Sequence, residues 1–375
     1  MNIRYLTAGE SHGKALVSII DGIPKGLRLD VKFINAELAR RMKGFGRGKR
    51  MLIEKDKVEV LTGTRKGKTL GGPIALLIRN KDYKIETLPS INCPRPGHAD
   101  LAGALKFGER DIRNILERAS ARETASRVAT GAVFKILLRE FGMEFLSHVT
   151  AIGRIASERR FSFSKTKDLA EKSAVKCADR DASRLMCLEI RRTKLEGDTL
   201  GGTFEVIARG VPAGLGSYAQ WDERLDAALA GAVMSIPGVK GVEIGRGFDA
   251  ARERGSAVHD EIFFDKKLKR FFRKTNRAGG IEGGISNGED ITLRAATKPI
   301  ATLVKALDSV NIKTKKKTKA QVERADVCVV PSSGVIAESV TAIEIARAFR
   351  KKFGGDSLSE MKRNYEGYLR QLKRL

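Results

Sequence analysis

From Glu109 to Phe141 the chain contains no proline, and Gly131 is its only glycine, so nothing local interrupts a helix across the whole stretch. Ile112, Ile115, Leu116, Val128, Ala132, Val133, Ile136 and Leu137 recur at three- and four-residue steps. That period predicts one long amphipathic or buried helix. Midway, in Arg118-Ala-Ser-Ala-Arg-Glu-Thr-Ala-Ser-Arg127, small residues and arginines replace the apolar ones. Arg118 and Arg122 are four apart and are expected to share a face. Small residues beside arginines let a flat or anionic ligand approach the backbone, although a solvated face with incidental arginines explains the pattern as well.

Before this stretch, Ile3–Thr7 and Ala15–Ile20 read as strands joined by Ala8-Gly-Glu-Ser-His-Gly13. Gly9–Gly13 matches the G-x-S-x-G elbow of serine hydrolases, but a β-rich segment follows where the elbow needs a helix, so that reading fails. His12 remains accessible in a glycine-flanked turn. Val31–Lys43 reads as a helix ending in Arg40-Arg41, followed by the glycine-rich Gly44–Arg50, which either folds around an anion or is a tolerated surface loop. Gly63-Thr-Arg-Lys-Gly-Lys-Thr69 is one residue short of a P-loop and is followed by a strand, so it is no nucleotide site.

Gly67-Lys-Thr-Leu-Gly-Gly72 recurs as Gly197-Asp-Thr-Leu-Gly-Gly202, Val58–Val60 as Leu188–Ile190, and Leu101–Leu105 as Leu229–Val233, in the same order. The echo predicts an internal duplication, two antiparallel sheet units each followed by helix, with pseudo-repeats over roughly 50–140 and 185–245. Cys93-Pro-Arg-Pro-Gly-His-Ala-Asp100 is a stiff loop presenting Arg95 and His98, where the histidine is either a site residue or a cap. Val335–Phe353 is expected to be a closing helix and Arg324–Pro331 strand-like. Gly279, Gly280, Gly283, Gly284 and Gly288 crowd one segment, which implies that backbone there approaches a ligand or another strand closely.

A formal net charge of +26 favours anionic partners, whether nucleic acid or multiply charged metabolites. Aromatics make up only 6% of the chain, and no stacking platform accompanies the charge, which disfavours a nucleic-acid partner. Much of the excess lies in Lys266–Lys274 and Lys313–Lys319, read as solvated loops or lids. Four dispersed cysteines (Cys93, Cys177, Cys187, Cys328) suggest reduced thiols and a cytoplasmic protein, and four dispersed histidines suggest no metal. No apolar run reaches the roughly eighteen residues a membrane span needs.

Ala8–Gly13, Arg95–Asp100, Arg118–Arg127, Gly280–Gly288 and Arg324–Pro331 form an ordered set that, with Pro212–Gly216, Trp221-Asp222 and Gly241–Glu243, resembles chorismate synthase from Arg4 to about Arg347. The resemblance implies a single α+β domain over 1–375 with central helices between two antiparallel sheets, assembled as a homotetramer. It implies loss of phosphate from 5-enolpyruvylshikimate 3-phosphate in an anti-1,4 elimination giving chorismate, the last step of the shikimate pathway. Reduced FMN is required without net redox change, and NADPH is a candidate reductant. By the same resemblance Ser11, His12, Arg41, Arg47, Arg50, Arg122 and Arg324, with Arg95, surround the small anionic substrate. His98, Arg118, Ala119, Ser120, Pro237, Gly238, Gly283, Lys298, Pro299, Ile300, Ala301, Thr302 and Arg324 contact the flavin. His12, His98 and Asp326 carry the proton chemistry: His12 as general acid, His98 beside the flavin, Asp326 tuning the proton on flavin N5. Arginines around His12 are expected to favour its neutral form until substrate binds. Two departures from the family pattern stand out: Ala119 replaces a usual serine, and Pro237-Gly238 replaces a pair such as Asn-Ala.

Overall fold

The computed structural model describes residues 3–48, 54–267, 269–323 and 326–374. Period-two strands at the N-terminus, β1 (Arg4–Ala8) and β2 (Ala15–Asp21), pair with each other. β3 (Val58–Val60) and β6 (Ile74–Arg79) complete an antiparallel sheet in the order β1-β2-β6-β3. Between β3 and β6 lies a small hairpin, β4 (Thr64–Arg65) and β5 (Lys68–Thr69). The second sheet is antiparallel in the order β10-β15-β9-β7-β8, from β7 (Glu144–Ile152), β8 (Ile155–Ala156), β9 (Gly202–Arg209), β10 (Val239–Ile244) and β15 (Ile291–Thr297). Three further hairpins are β11 (Ile262–Asp265) with β12 (Arg270–Arg273), β13 (Ile281–Glu282) with β14 (Ile285–Ser286), and β16 (Asp308–Val310) with β17 (Lys317–Lys319).

The helices are α1 (Val31–Met42), α2 (Asp100–Phe107), α3 (Ile112–Arg118), α4 (Thr124–Arg139), α5 (Phe163–Lys172), α6 (Arg180–Leu195), α7 (Leu225–Met234), α8 (Val330–Phe353) and α9 (Leu358–Leu372). α4 packs on β1, β2 and β6 with one side and on α8 and α1 with another, while α8 packs on β7, β9 and α7. The central helices therefore lie between the two sheets, and one apolar core runs through all three layers. Fourteen of the sixteen residues of α4 are buried, as a helix covered on every side requires. Gly131 sits where α4 meets α8, and a Cβ there would lie 2.4 Å from Ser339 Cβ. Glu338 of α8, fully buried, is met by Arg40 at 2.8 Å, Lys135 at 2.5 Å and the Ser147 hydroxyl at 2.7 Å, with Glu37 also on Lys135. Burial raises the Glu338 carboxyl, but these two cations hold it well below the ordinary range.

Several expectations change. The long helix is broken: Ser120 is extended (ψ 142°) and its hydroxyl accepts from Arg122 N, an alternative to the helical bond that serines readily supply. Arg118 consequently ends α3 while Arg122 lies in the single 3-10 turn Ala121–Glu123, so the two share no helix face. Val58–Val60 is a strand, whereas its echo Leu188–Ile190 lies inside α6, where Asp179 caps the start and an amphipathic face supports helix. The strand expected at Arg324–Pro331 is absent from its described residues, because α8 begins at Val330 with Pro331 in its first turn, where a missing N–H costs nothing. Both basic tracts fold as hairpins rather than loops, and the polar tail forms α9, anchored by Tyr365 and Tyr368 against Phe353.

Candidate active site

The β1–β2 turn presents Ser11 and His12. It needs Gly9 at φ +112°, where a Cβ would fall 2.4 Å from Ala15 O. The last turn of α3 fixes it: Ser11 N donates to Glu117 O at 2.9 Å and His12 N to Glu117 Oε2 at 2.8 Å. The His12 Nδ1 lies 3.0 Å from Glu117 Oε1, and its Nε2 lies 3.7 Å from Asp82 Oδ2. Ser120 Oγ donates to Ser11 Oγ at 3.2 Å. Burial raises the Glu117 carboxyl, but the hydrogen bonds from His12 and the nearby Arg113 outweigh it, and the net shift is downward. The expected ring of arginines around His12 is therefore not what its imidazole meets: its ring nitrogens face two carboxylates.

The arginines gather next to it. Arg122 is 5% exposed. Its Nε and Nη2 donate to Asn80 Oδ1 at 3.0 and 2.8 Å, and its Nη1 donates to Asp56 at 2.8 Å. Asn80 Nδ2 in turn donates to Gly13 O at 2.7 Å, which ties this arginine to the His12 turn. Arg41, 3% exposed at the end of α1, donates to Thr124 Oγ1 at 3.0 Å and Ala121 O at 2.9 Å, while its buried Nη1 lies 3.7 Å from Asp56 and has no hydrogen-bond partner among the described residues. Burial, only partly offset by Asp56, pushes its pKa down to about 9, so it stays charged at neutral pH. Arg122, Arg47 and Asp326 all lie within its field. Arg47 meets Asp326 at 2.8 Å, and Gly48 N also donates to that carboxylate. Arg50 and Arg324 lie outside the described residues.

The residues expected around a flavin form a second, adjoining set. Asp100 is fully buried at the start of α2. It accepts from Arg95 Nε at 2.8 Å and Nη2 at 3.0 Å, and from the His98 ring at Nδ1. Burial raises the Asp100 carboxyl, but these partners carry it far below its ordinary range. With Nδ1 engaged, Nε2 is the His98 nitrogen left for a ligand. Arg95 also donates to Thr302 Oγ1 at 2.8 Å, which makes it an internal strut rather than a free substrate group. Lys298 bonds Gly97 O through its side chain and Gly238 O through its N–H, the latter at 2.9 Å. Ile300 O is held by Thr199 Oγ1, with exposed Pro299 and half-buried Ala301 on either side. Pro237-Gly238 follows Ser235, whose oxygens accept from Arg127. Arg118 is exposed and donates to Thr7 O and Gly9 O at 3.0 Å, so Arg118-Ala119-Ser120 closes the ring beside the His12 turn.

Gly283 does not join them. Leu225 N at the start of α7 bonds Gly284 O, whereas Pro237-Gly238 follows the end of that helix, about 15 Å away along its axis. Two cavities of the structure, about 390 Å³ beside Ile244 and Arg277 and about 290 Å³ beside Lys25 and Lys68, both lie away from these groups. Sequence reading passed over Asp56, Asn80, Asp82, Asp100, Arg113 and Glu117. Only Asp100, the last residue of the Cys93–Asp100 loop, and Glu117, next to Arg118–Arg127, carried a signal; the others become site residues solely by folding.

A family model for chorismate synthase matches residues 3–349. The chain is 53% identical to the chorismate synthase of Geobacter metallireducens over 394 residues, covering 99% of both. It is 54% identical to that of Alkaliphilus metalliredigens over 376 residues, covering 97% of this chain and 99% of that one. A solved chorismate synthase structure superposes with a TM-score of 0.84 at 42% identity, covering 100% of this chain and 99% of the other. On this similarity, and with the fold and the converging side chains that accompany it, the chain belongs to the chorismate synthase family.

Proposed function

We propose that this chain eliminates phosphate from 5-enolpyruvylshikimate 3-phosphate to form chorismate, using reduced FMN with no net redox change. The observation that carries the reading is the buried Arg41 Nη1 beside Arg122, which makes no hydrogen bond among the described residues and meets Asp56 only at 3.7 Å. A buried cation with an unmade hydrogen bond fits an anionic ligand, and a phosphate with two carboxylates matches the planar guanidinium forks. Asp56 and Asn80 hold Arg122 in place, and Glu117 fixes the tautomer and direction of His12, whose Nε2 we assign to protonating the leaving phosphate.

The second set fits the flavin. Gly238 (φ +90°) leaves its backbone open, and Lys298, Arg118, Ser120 and His98 Nε2 supply polar contacts around it. A reduced flavin held there by these residues would supply electron density to the breaking C–O bond with no net redox change. Asp100 and Arg95 orient His98 against that group, and Asp326, held by Arg47, would tune flavin N5 to take the proton lost from C6 of the substrate. Ala119 removes one side-chain contact that a serine would give. We carry the single-domain reading over 1–375, the cytoplasmic location and the homotetramer as parts of the same proposal. Exposed Tyr218 and Trp221 beside the β13–β14 hairpin are the surface that such an assembly would cover, and they would place Gly283 at a boundary between copies.

An anaerobic assay with chemically reduced FMN tests the activity, and chorismate must appear in proportion to phosphate released. Repeating it with oxidised FMN and NADPH decides whether the chain reduces its own flavin. No product with reduced FMN, for a folded protein that binds FMN, overturns the proposal.

A further inference from the structure

The β4–β5 hairpin carries the glycine–lysine sequence that fails as a P-loop, and no part of the proposed reaction uses it. Its turn, Lys66-Gly67, has positive φ at both positions, +49° and +72°. The hairpin is zipped onto the segment before α1: Gly26 N donates to Thr69 O at 3.0 Å, Thr69 N to Leu27 O at 2.9 Å, and Leu29 N to Gly67 O at 2.9 Å. The buried Thr69 hydroxyl donates to Pro24 O and accepts from Leu27 N. The start of α9 fixes that segment from the other side, through Lys25 N to Asp356 O and Leu358 N to Lys25 O.

On this braced frame lies the cavity of about 290 Å³, whose wall carries Lys25, Arg65, Lys66 and Lys68 and no acid. Among the described residues none of these four side chains makes an ion pair or a hydrogen bond. Arg28 stands directly opposite Lys68 across an antiparallel bridge, an arrangement in which like charges repel. On the four-stranded sheet, by contrast, Arg79 is paired with Glu59 at 2.7 Å. The cavity lies beside the segment that leads into α1, and Arg41 is near the far end of that twelve-residue helix, roughly 15 Å or more away.

We propose that this cavity is a second anion site, separate from the active site, which takes an oligophosphate: two or more phosphate groups in a row. Ammonium and guanidinium groups are the donors that phosphate oxygens take best, and several on one concave wall suit a chain of charges better than a single phosphate. Its volume lies at the low end for small-molecule sites, about 300 Å³, which matches a phosphate chain. Inorganic oligophosphate and the tail of a nucleoside triphosphate share this chemistry.

The test is calorimetric titration of inorganic triphosphate, ATP and AMP into the full chain and into Arg65→Gln/Lys66→Asn/Lys68→Gln. Asparagine accepts the left-handed conformation at 66, so the turn is preserved. The wild type is expected to bind one triphosphate at this site, about tenfold or more tighter than the triple variant does, with AMP not bound there and the thermal midpoint unchanged. Tighter binding of ATP than of triphosphate identifies a nucleotide as the ligand, and equal binding identifies the free oligophosphate. Equal affinity and stoichiometry in wild type and variant overturn the proposal. So does a homopolymeric DNA strand that outcompetes triphosphate and loses its binding in the variant, since the surface is then a nucleic-acid face. Should the triple variant unfold, Lys66→Asn alone must still weaken triphosphate binding.

Discussion

Glu117→Gln isolates the contact that orients His12. Glu117 accepts the His12 backbone N–H at 2.8 Å and faces its Nδ1 at 3.0 Å, and it is almost wholly buried. An amide keeps the shape and one acceptor but removes the charge, so the side-chain bond to the imidazole loses its charge-assisted character. Such a bond contributes roughly 1.5–3 kcal/mol, a factor of about 10 to 150 in rate if it is felt in the transition state. We expect kcat to fall within that range, KM to change little, and the pH dependence of kcat to shift because the histidine has lost the nearer of its two carboxylates. The assay is anaerobic turnover with reduced FMN across pH, run beside a thermal melt. A His12→Ala background supplies the control. If Glu117 acts through the imidazole, adding Glu117→Gln there costs about threefold or less. An undiminished loss in that background, or wild-type kcat and pH profile in Glu117→Gln itself, refutes the assignment.

Asp100→Asn leaves Arg95 and His98 without their shared carboxylate, and FMN affinity measured by fluorescence quenching should fall about tenfold. Glu338→Gln removes one of the carboxylates that Arg40 and Lys135 share, leaving them Glu37, and should cost about 1.5–3 kcal/mol in denaturant unfolding. Glu338, Asp100 and Glu117 are all held below their ordinary values of 3.8 to 4.5, so their stabilisation is present above that range. It is lost as pH falls through the depressed folded values. Thermal midpoints should therefore drop below about pH 4.5, and less steeply in Glu338→Gln. Gly131→Ala gains up to about 1 kcal/mol in helix propensity. It also forces a methyl to 2.4 Å from Ser339 Cβ, an overpacking that costs about 1–3 kcal/mol or more. Net destabilisation is expected, and a stabilised variant would show that the α4–α8 contact is looser than described.

Strands β1, β2, β6 and β9 and helix α1 were legible because their apolar residues repeat at the period of the element, and that period is a local property. The ordered motifs carried the family. The break at Ser120 was not legible, since its residues are compatible with helix; what stops the helix is a capping hydroxyl and the docking of Glu117 and Arg118 onto residues 7–12, more than a hundred positions earlier. The echo of Val58–Val60 in Leu188–Ile190 shows the converse, where three similar residues took the structure their surroundings imposed.

By itself, the sequence determined which cations and imidazoles enter the site, because their types and order along the chain are covalent facts. Tertiary structure alone decided what each one faces. It set Glu117 and Asp82 against His12, Asp56 and Asn80 against Arg122, and Asp100 between Arg95 and His98. Those partners act over about 3 Å, a distance that no spacing along the chain encodes. The electrostatic character of each group was therefore fixed only when the two sheets closed over the central helices.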